Sequence, residues 1–449
     1  MSKLAEIIAK EIAASGIIPF ARFMELALYC PYYGFYEKER DNIGSRGHFF
    51  TSPSVGPLFG QLLAFQFAQW CDELGGHPLG CPDEEVATRG TLKGGHQAQL
   101  IEAGAHDGRL ASNILAWFRD HRRDLFSRLE YCIIEPSPRR RQWQEQTLAP
   151  FLGRVRWLPT LSDPLSSEVL LTKEDGDLST ATRHPSPVTR HFQVIFSNEL
   201  FDAMPVHRLG WDAKAKAWFE WGVTLTAERF EWSRMPTDSP ESKVQSPKSV
   251  TAAHAPVAPK SDAGGSRITH LSRRSQMQAD QVPLSTPQLL NSPTLQLLIP
   301  HLPDGFILDT CPAAEQWWAQ AAHALGCGKL LTLDYGLTAE EFLAPHRTDG
   351  TLRAYHQHQL NSDLLANPGE QDLTAHVNFT ALQTAGESAG LTTDAFLTQE
   401  QFLTQIVAQI VKSEASFPPW TPSRTRQFQT LTHPDMMGRP FRVLVQSRG

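Results

Sequence analysis

The sequence predicts an α/β fold in which helices cover both faces of a mostly parallel sheet, with an N-terminal helical region, inserted β-structure and a disordered insertion. From residue 98 onward, short apolar runs alternate with stretches of helical periodicity, a pattern typical of strands that are buried on both faces. The runs are AQLIEAG at 98–104, YCIIEPS at 131–137, RVRWLP at 154–159, FQVIFSNE at 192–199 and KLLTLDYG at 329–336. A final run, FRVLVQS at 441–447, predicts an antiparallel strand at the edge of the sheet.

Composition divides the chain into four parts. They are an N-terminal helical and loop cap (1–95), a first half of the core (96–232), a disordered low-complexity insertion (233–290) and a second half of the core (291–449). The cap shows helical periodicity at 4–14 and 58–74, and residues 207–232 predict β-structure with a turn at 211–214. The insertion is rich in Ser, Pro, Ala and Lys and has almost no large apolar side chains, so we expect it to be disordered and dispensable.

Bulk composition excludes several classes of function. The 41 basic and 48 acidic side chains give a net charge of -7 without blocks of like charge, which argues against a nucleic-acid partner. The six cysteines form no C-x-x-C pair, and His356 and His358 lack a visible third ligand, so no metal site is predicted. There is no apolar run of about 18 residues to insert into a membrane. With acidic residues at the N-terminus, we expect a cytoplasmic, bacterial-type setting rather than the mitochondrial matrix; the oligomeric state is left open.

A glycine turn follows the first strand of the predicted core. Glu102 ends the apolar run, Gly104 lets the backbone approach a ligand closely, and Gly108 precedes a helical stretch. His106 breaks the G-x-G-x-x-G spacing that dinucleotides require, which argues against an NAD-dependent oxidoreductase. A cofactor without a pyrophosphate, such as S-adenosyl-L-methionine, needs only a looser turn. Glu135 ends the next strand, 33 residues after Glu102, where it could accept hydrogen bonds from ribose hydroxyls; the alternative is that both acids merely cap strands.

The stretch SNELFDAMPVHRL at 197–209 is the most informative of the chain. Asn198, Glu199 and Asp202 follow an apolar strand, and side chains at the carboxyl end of a central strand face the ligand crevice. Two carboxylates can grip a guanidinium and accept its proton. Glu199 and Asp202 are therefore candidate catalytic residues. The alternative is that Asp202 caps a short helix and Asn198 closes a turn.

A second candidate pair lies in DLTAHVNF at 372–379. Asp372 and His376 are four residues apart, so they share a face whether the segment is helical or extended, and the carboxylate could orient the imidazole. The alternative is that Asp372 caps a helix and His376 lies in the core.

Several long motifs together resemble the MidA-like family of S-adenosyl-L-methionine-dependent methyltransferases. They are PFARFMELALYCPYYGFY (19–36), GHFFTSPSVGPLFGQLLA (47–64), SNELFDAMPVHRL (197–209), LLTLDYG (330–336), GTLRAYHQHQL (350–360) and PGEQDLTAHVNFTAL (368–382). The resemblance implies a Rossmann-like class I methyltransferase sheet and a protein substrate methylated on arginine; for mitochondrial members, that substrate is a subunit of respiratory complex I. It places Gly47, Thr51 and Pro53 at the cofactor, together with Glu102, Gly104, Gly108, Glu135 and Asn198. The predicted catalytic residues are Glu199, Asp202, Asp372 and His376.

The chain departs from the family's pattern at four motif positions. His48 and Asn378 stand where the family has Asp, Ser54 where it has Glu, and His106 where it has a second glycine. We expect His106 to face the cofactor carboxylate. Two hypotheses follow: a methyltransferase acting on a protein arginine, or a non-catalytic assembly or binding factor whose cofactor site has decayed.

Overall fold

The computed structural model describes residues 1–38, 51–75, 98–161, 192–236, 298–356, 359–413 and 417–449. Gly47, His48 and most of the predicted insertion lie outside these ranges; of the insertion, residues 233–236 are described. Within the described ranges, no helix is long and apolar enough to cross a membrane.

Strands and helices alternate through the part of the chain that was predicted to form the core. The strands are β1 (Ile18–Pro19), β2 (Ala98–Ala103), β3 (Leu129–Ile134), β4 (Val155–Leu158), β5 (Phe192–Asn198), β6 (His207–Asp212), β7 (Ala217–Thr226), β8 (Arg229–Arg234), β9 (Ile307–Thr310), β10 (Gly328–Leu337), β11 (Arg353–His356), β12 (Gln359–Asn361), β13 (Asp372–Thr374), β14 (Val377–Asn378), β15 (Thr392–Thr398) and β16 (Phe441–Arg448). The α-helices are α1 (Lys3–Ser15), α2 (Phe20–Tyr29), α3 (Phe35–Lys38), α4 (Ser52–Val55), α5 (Leu58–Gly75), α6 (Arg109–His121), α7 (Arg123–Phe126), α8 (Pro138–Thr147), α9 (Pro312–Ala324), α10 (Ala339–Phe342), α11 (Phe379–Ser388), α12 (Gln399–Ser413) and α13 (Pro422–Thr432).

The central sheet confirms the predicted fold class. Its strand order is β15-β16-β10-β5-β2-β3-β4, and β14 adds to the end of β10. The pairs from β10 through β4 are parallel, and every residue of β2 is buried, as expected for a sheet covered on both faces. Helices α5, α6 and α12 pack on one face, and α9 and α11 pack on the other. The order changes direction beside β2, so β2 and β5 flank the crevice where ligands bind in such sheets.

The C-terminal strand is antiparallel, as predicted, but its predicted position at the edge is wrong. Strand β16 lies between β10 and β15 and pairs with both. The edge strand is β15, whose sequence TTDAFLT carries only a short apolar stretch. Because the apolar run of β16 is buried by both neighbours, it gave the stronger signal in the sequence.

The inserted β-structure forms a second, antiparallel sheet. Strands β6, β7 and β8 form a meander, β1 pairs with the edge of β7 that also carries β6, and β9 pairs with β6. Helices α1 and α2 pack on this sheet through a cluster of buried apolar residues that includes Ile8, Phe20, Phe23 and Val223. Residues 1–38 therefore belong with the small sheet, whereas α5 belongs with the central one.

Candidate active site

The carboxyl ends of β2 and β5 place the predicted site residues next to one another. In the parallel register, Glu102 is opposite Phe196, and Asn198 is opposite Leu333 on β10. A pocket with about 540 Å³ of space, part of it open to solvent, lies at this edge. It is lined by Thr51, Pro53, Ser54, Glu102, Gly104, Ala105, His106, Asp107, Arg109, Leu110, Asn198 and Glu199. Six predicted residues (Thr51, Pro53, Glu102, Gly104, Asn198 and Glu199) thus share one cavity.

The glycine turn shapes one wall of this pocket. Gly104 has a φ of 78°, and a Cβ added there would lie 3.0 Å from Leu200 Cδ1, so the turn and the loop after β5 are in close contact. Two residues other than glycine that line the pocket also have left-handed backbones, His106 with a φ of 45° and Glu199 with a φ of 50°. Such conformations cost about 1–3 kcal/mol each and concentrate at functional sites.

Glu102 lies at the floor of the pocket and is almost fully buried. The Tyr131 hydroxyl donates to its Oε2 at 2.6 Å. Burial raises the pKa of Glu102 to about 7, although the bond from Tyr131 lowers it. The carboxyl is thus a buried, hydrogen-bonded group beside the pocket, and the alternative of a strand cap exposed to solvent does not describe it.

Helix α4 closes the pocket from the N-terminal side. The Ser52 backbone N–H donates to Glu199 Oε1 at 2.8 Å, and Asn198 Nδ2 donates to the same oxygen at 3.0 Å. Ser54 accepts from the Thr51 N–H at 3.0 Å and donates to the Thr51 carbonyl at 2.7 Å. The serine that replaces the family's glutamate therefore caps this short helix. Asn198 Oδ1 is buried and has no hydrogen-bond partner within the described ranges.

Glu135 lies beside the glycine turn but does not line the pocket. Gln144 Nε2 donates both to Glu135 Oε2 at 2.9 Å and to the His106 carbonyl at 3.0 Å, so the two predicted anchors are neighbours. Glu135 Oε1 also accepts from the Ser137 N–H at 2.9 Å and from Arg140. A ribose bound here would have to share the Glu135 carboxylate with Arg140. That Glu135 accepts hydrogen bonds from the ribose hydroxyls of the cofactor therefore stays a prediction.

Gly108 lies behind the turn rather than in the pocket. It has a φ of 84° and precedes α6, and a Cβ there would meet the Gln144 backbone on α8 at 3.4 Å. Because 3.4 Å is an ordinary contact for a Cβ, it is the left-handed turn that favours glycine at this position.

A cluster of carboxylates lies on the far side of Glu199. Asp202 and Asp372 are 5% and 1% exposed, and Asp334 is fully buried. Burial raises the pKa of Glu199 to about 8, of Asp202 to about 6 and of Asp372 to about 8, and the negative charge of Asp202 adds to the rise at Glu199 and Asp372. Burial, followed by the charges of Asp202 and Glu199, raises the pKa of Asp334 well above its usual range.

Two oxygens of this cluster have no hydrogen-bond partner within the described ranges. They are Asp202 Oδ1 and Asp372 Oδ2. The remaining oxygen of Asp372 accepts from the Tyr36 hydroxyl at 2.8 Å. Unpartnered buried carboxylate oxygens are costly in a protein interior, and groups of this kind are typical of functional sites.

The sequence analysis missed three residues that organise the site. Asp334 Oδ2 accepts the backbone N–H groups of Leu200 and Phe201 at 3.2 and 3.0 Å, which fixes the loop after β5. Tyr36 bonds Asp372, and Arg140 bonds Glu135. Asp334 and Tyr36 stand in motifs that carried the family resemblance, so the available signal was the motif itself. Arg140 is one of three consecutive arginines, and nothing in the sequence distinguishes it from its neighbours.

The structure does not join Asp372 to His376 as a pair, which corrects that part of the prediction. Asp372 lies in β13 and bonds Tyr36, whereas the His376 N–H bonds the Thr351 hydroxyl and its ring packs edge-on against Tyr335. The short strand turns the two side chains toward different neighbours, and neither caps a helix. Burial lowers the pKa of His376 to about 4, so its imidazole is neutral. His376 lines a second cavity, separate from that of Glu102 and Gly104.

No group of three or more His, Cys, Asp or Glu side chains in the described part of the chain is arranged to hold a metal ion.

Comparison with known proteins places this site in a family. The sequence model of a family of S-adenosyl-L-methionine-dependent methyltransferases matches residues 62–397, which is 336 of the 449 residues. The chain belongs to this family. The predicted family, the cofactor S-adenosyl-L-methionine and the assignment as a class I methyltransferase are thereby confirmed.

Named relatives and a solved structure agree with the assignment. The chain is 25% identical to "Protein arginine methyltransferase NDUFAF7 homolog, mitochondrial" of Drosophila melanogaster over 86% of this chain and 70% of that protein. It is 25% identical to "Protein arginine methyltransferase NDUFAF7, mitochondrial" of Xenopus laevis over 96% of this chain and 81% of that protein. A crystal structure of a Burkholderia thailandensis protein bound to S-adenosyl-homocysteine matches with 26% identity and a TM-score of 0.69, over 99% of this chain and 92% of that one.

These comparisons decide two of the predictions. They favour the enzyme over the non-catalytic assembly or binding factor. The predicted cytoplasmic, bacterial-type setting is wrong, because the curated relatives are named as mitochondrial proteins. The acidic residues at the N-terminus were too indirect a signal for cellular location.

The pocket beside Gly104 suits the cofactor of the family. Gly104 lines the pocket with a left-handed backbone that favours glycine, and the unpartnered Asn198 Oδ1 offers a buried acceptor at the pocket wall. Glu102 and Glu199 add two further acceptors, and the side chain of His106 lies at the rim without closing the cavity. Residues at this edge would therefore hold S-adenosyl-L-methionine through its polar groups.

Proposed function

We propose that the protein methylates an arginine side chain of a protein substrate. The observation that carries the proposal is the buried carboxylate cluster beside the cofactor pocket, with an unbonded oxygen on Asp202 and another on Asp372. A guanidinium carries a positive charge and five N–H donors, so it satisfies such oxygens and offsets the repulsion between the carboxylates. The relatives named protein arginine methyltransferases support the same acceptor.

Each acid has a distinct part in the proposed reaction. When bound, S-adenosyl-L-methionine supplies a methyl group on a positively charged sulfur, and its transfer to a guanidinium nitrogen releases one proton. Asp202 and Asp372 accept hydrogen bonds from the guanidinium and fix the direction of its reacting nitrogen. Glu199 lies between the cofactor pocket and the cluster, and with a pKa of about 8 it is a suitable base for that proton near neutral pH.

The remaining predicted residues support this arrangement. Asp334 holds the loop that carries Glu199 and Asp202, and Tyr36 holds Asp372. His376 has no direct part in this scheme, because it lines the second cavity and does not bond Asp372. The family resemblance implies a subunit of respiratory complex I as the acceptor of mitochondrial members, and we propose the same class of partner for this chain.

Labelled methyl transfer tests the proposed function. The full chain is incubated with S-adenosyl-L-methionine labelled in the methyl group and a mitochondrial protein extract, and the labelled protein is hydrolysed for amino-acid analysis. We expect label in methylated arginine, a loss of at least a hundredfold in Glu199→Gln, and no loss in Glu145→Gln, which changes an exposed acid on α8. Label in another amino acid, or equal transfer by Glu199→Gln, would contradict the proposal.

A further inference from the structure

A second cavity lies on the other side of the loop that follows β5. It has about 450 Å³ of space, part of it open to solvent, between this loop, the end of β9, the start of α9 and the segment that leads into α11. Asn198 and Glu199 line the first pocket, whereas Phe201 and Val206, a few residues further along, line the second. The loop is therefore a wall shared by the two cavities.

Polar atoms without partners line this cavity. Thr310 is 5% exposed, and its Oγ1 has no hydrogen-bond partner within the described ranges. The same is true of the buried Nδ1 of His376, whose ring is neutral because burial lowers its pKa. Both atoms can accept a hydrogen bond, and both belong to residues that line the cavity. Buried polar atoms of this kind are normally paired, so a polar ligand that enters the cavity would satisfy them.

The charged side chains that line the second cavity are acidic. Asp309 and Glu315 are the charged side chains among its lining residues. Asp309 is satisfied, because it pairs with Arg208 at 3.0 Å and accepts the Thr351 N–H at 2.7 Å. Glu315 has no ion-pair partner within the described ranges, and burial raises its pKa to about 7. One uncompensated carboxylate therefore remains in the cavity.

The nearby positive charges do not neutralise Glu315. Arg347 and Arg353 act on His376 electrostatically, but neither belongs to the lining of the cavity. Arg208 is engaged by Asp309. A ligand that enters the cavity thus meets one free carboxylate and two neutral acceptors.

We propose that the second cavity binds the cationic side chain of another basic residue in the protein substrate, next to the arginine that is methylated. Glu315, Thr310 and His376 offer three acceptors, which match the donors of an ammonium or guanidinium group, and Phe201 and Val206 contact its aliphatic stem. This inference rests on the proposed function in one respect, namely that the basic side chain belongs to the protein substrate that is methylated. Substrates with two basic residues close in sequence or in space would then be preferred.

Nuclear magnetic resonance of the His376 ring measures binding at this cavity directly. The full chain, saturated with S-adenosyl-homocysteine and assigned with His376→Gln, is titrated with Nα-acetyl-arginine amide, Nα-acetyl-lysine amide and Nα-acetyl-glutamate amide. We expect saturable shifts of the ring signals with the arginine or lysine probe and none with the glutamate probe. Binding should weaken at least tenfold in Glu315→Gln and severalfold in Thr310→Val.

The matched control is Glu400→Gln. Glu400 is also an acid in the first turn of a long helix, α12, and it is partly exposed, so the substitution reproduces the change in helix-terminal charge without altering the cavity. We expect the affinity of Glu400→Gln to equal that of the unaltered protein. Melting curves confirm that each variant is folded.

The outcomes separate this inference from the proposed function. Probe binding that depends on Glu315 supports the cavity assignment even if no arginine is methylated. If neither cationic probe shifts the His376 signals, if the glutamate probe binds equally well, or if Glu315→Gln binds as tightly as the unaltered protein, the assignment is overturned, whatever the result of the methyl-transfer assay.

Discussion

Asp372→Asn tests the stability cost of the buried carboxylate cluster. Asp372 is 1% exposed, one of its oxygens accepts from the Tyr36 hydroxyl, and the other has no partner within the described ranges. Asparagine has the same shape and keeps an oxygen for Tyr36. The substitution therefore removes a buried ionisable group with little change in packing.

The magnitude follows from the shift in pKa. The pKa of Asp372 is about 8 in the folded protein, against a usual value of 3.8. Between these two pH values the folded state keeps a proton that the unfolded chain releases, so stability is highest at low pH and is lost as the pH rises. The slope is about 1.4 kcal/mol per pH unit, or about 3 kcal/mol between pH 5 and pH 7. The variant lacks this contribution, so it gains stability relative to the unaltered protein by about that amount over the same interval.

Urea unfolding at pH 5, 6 and 7 measures the difference. The control is Asp120→Asn, an exposed acid whose pKa is lowered by its hydrogen bond with Arg119; its contribution has the opposite sign, being present above its unfolded pKa and lost on acidification. We expect the advantage of Asp372→Asn to grow with pH, and we expect Asp120→Asn to show a small loss of stability that hardly changes over this range. A difference that does not change with pH, or an Asp372→Asn variant that is less stable at pH 7, would refute the reasoning.

Two further predictions concern groups that flank the pocket. In a steady-state assay of methyl transfer, the rate should rise between pH 6 and pH 9 as Glu199 and Asp372 ionise, and Glu199→Gln should be slow and keep only the part of the rise that Asp372 gives; an unchanged profile in the variant would exclude Glu199 as the base. Arg140→Met leaves Glu135 and Glu37 without their shared buried cation, so we expect thermal unfolding to show a loss of about 3–5 kcal/mol; an unchanged melting midpoint would show that the ion pairs are dispensable.

The sequence predicts the central sheet well because its signals are local. Strands β2, β3 and β5 are buried on both faces and are continuous apolar runs, so each is visible without knowledge of its neighbours. The position of β16 inside the sheet is a property of pairing, and the weak apolar pattern of β15 gave no reason to place a further strand outside it. The composition of a single strand therefore does not tell whether that strand lies at the edge or in the interior of the sheet.

The candidate site was predictable where residues follow a strand and poorly predictable where they depend on partners. Gly104, Asn198 and Glu199 come directly after buried strands, so the crevice rule brings them together. The bond from Tyr36 to Asp372 joins residues that are far apart in the chain. The bond to Glu135 is made by Arg140, the middle one of three consecutive arginines that the sequence does not distinguish. The spacing of Asp372 and His376 allowed a pair, but the partner of each is set by the surrounding fold.

The heat of binding of S-adenosyl-homocysteine to Gly104→Ala tests the central claim most directly. The matched control is Gly305→Ala, because Gly305 has the same φ of 78° but no atom within 4 Å of an added Cβ, so it reproduces the backbone strain alone. Calorimetry should show binding by the unaltered protein and by Gly305→Ala with similar affinity, and binding at least tenfold weaker in Gly104→Ala. No heat with the folded, unaltered protein, or equal binding by Gly104→Ala, would contradict the assignment of the cofactor to this pocket.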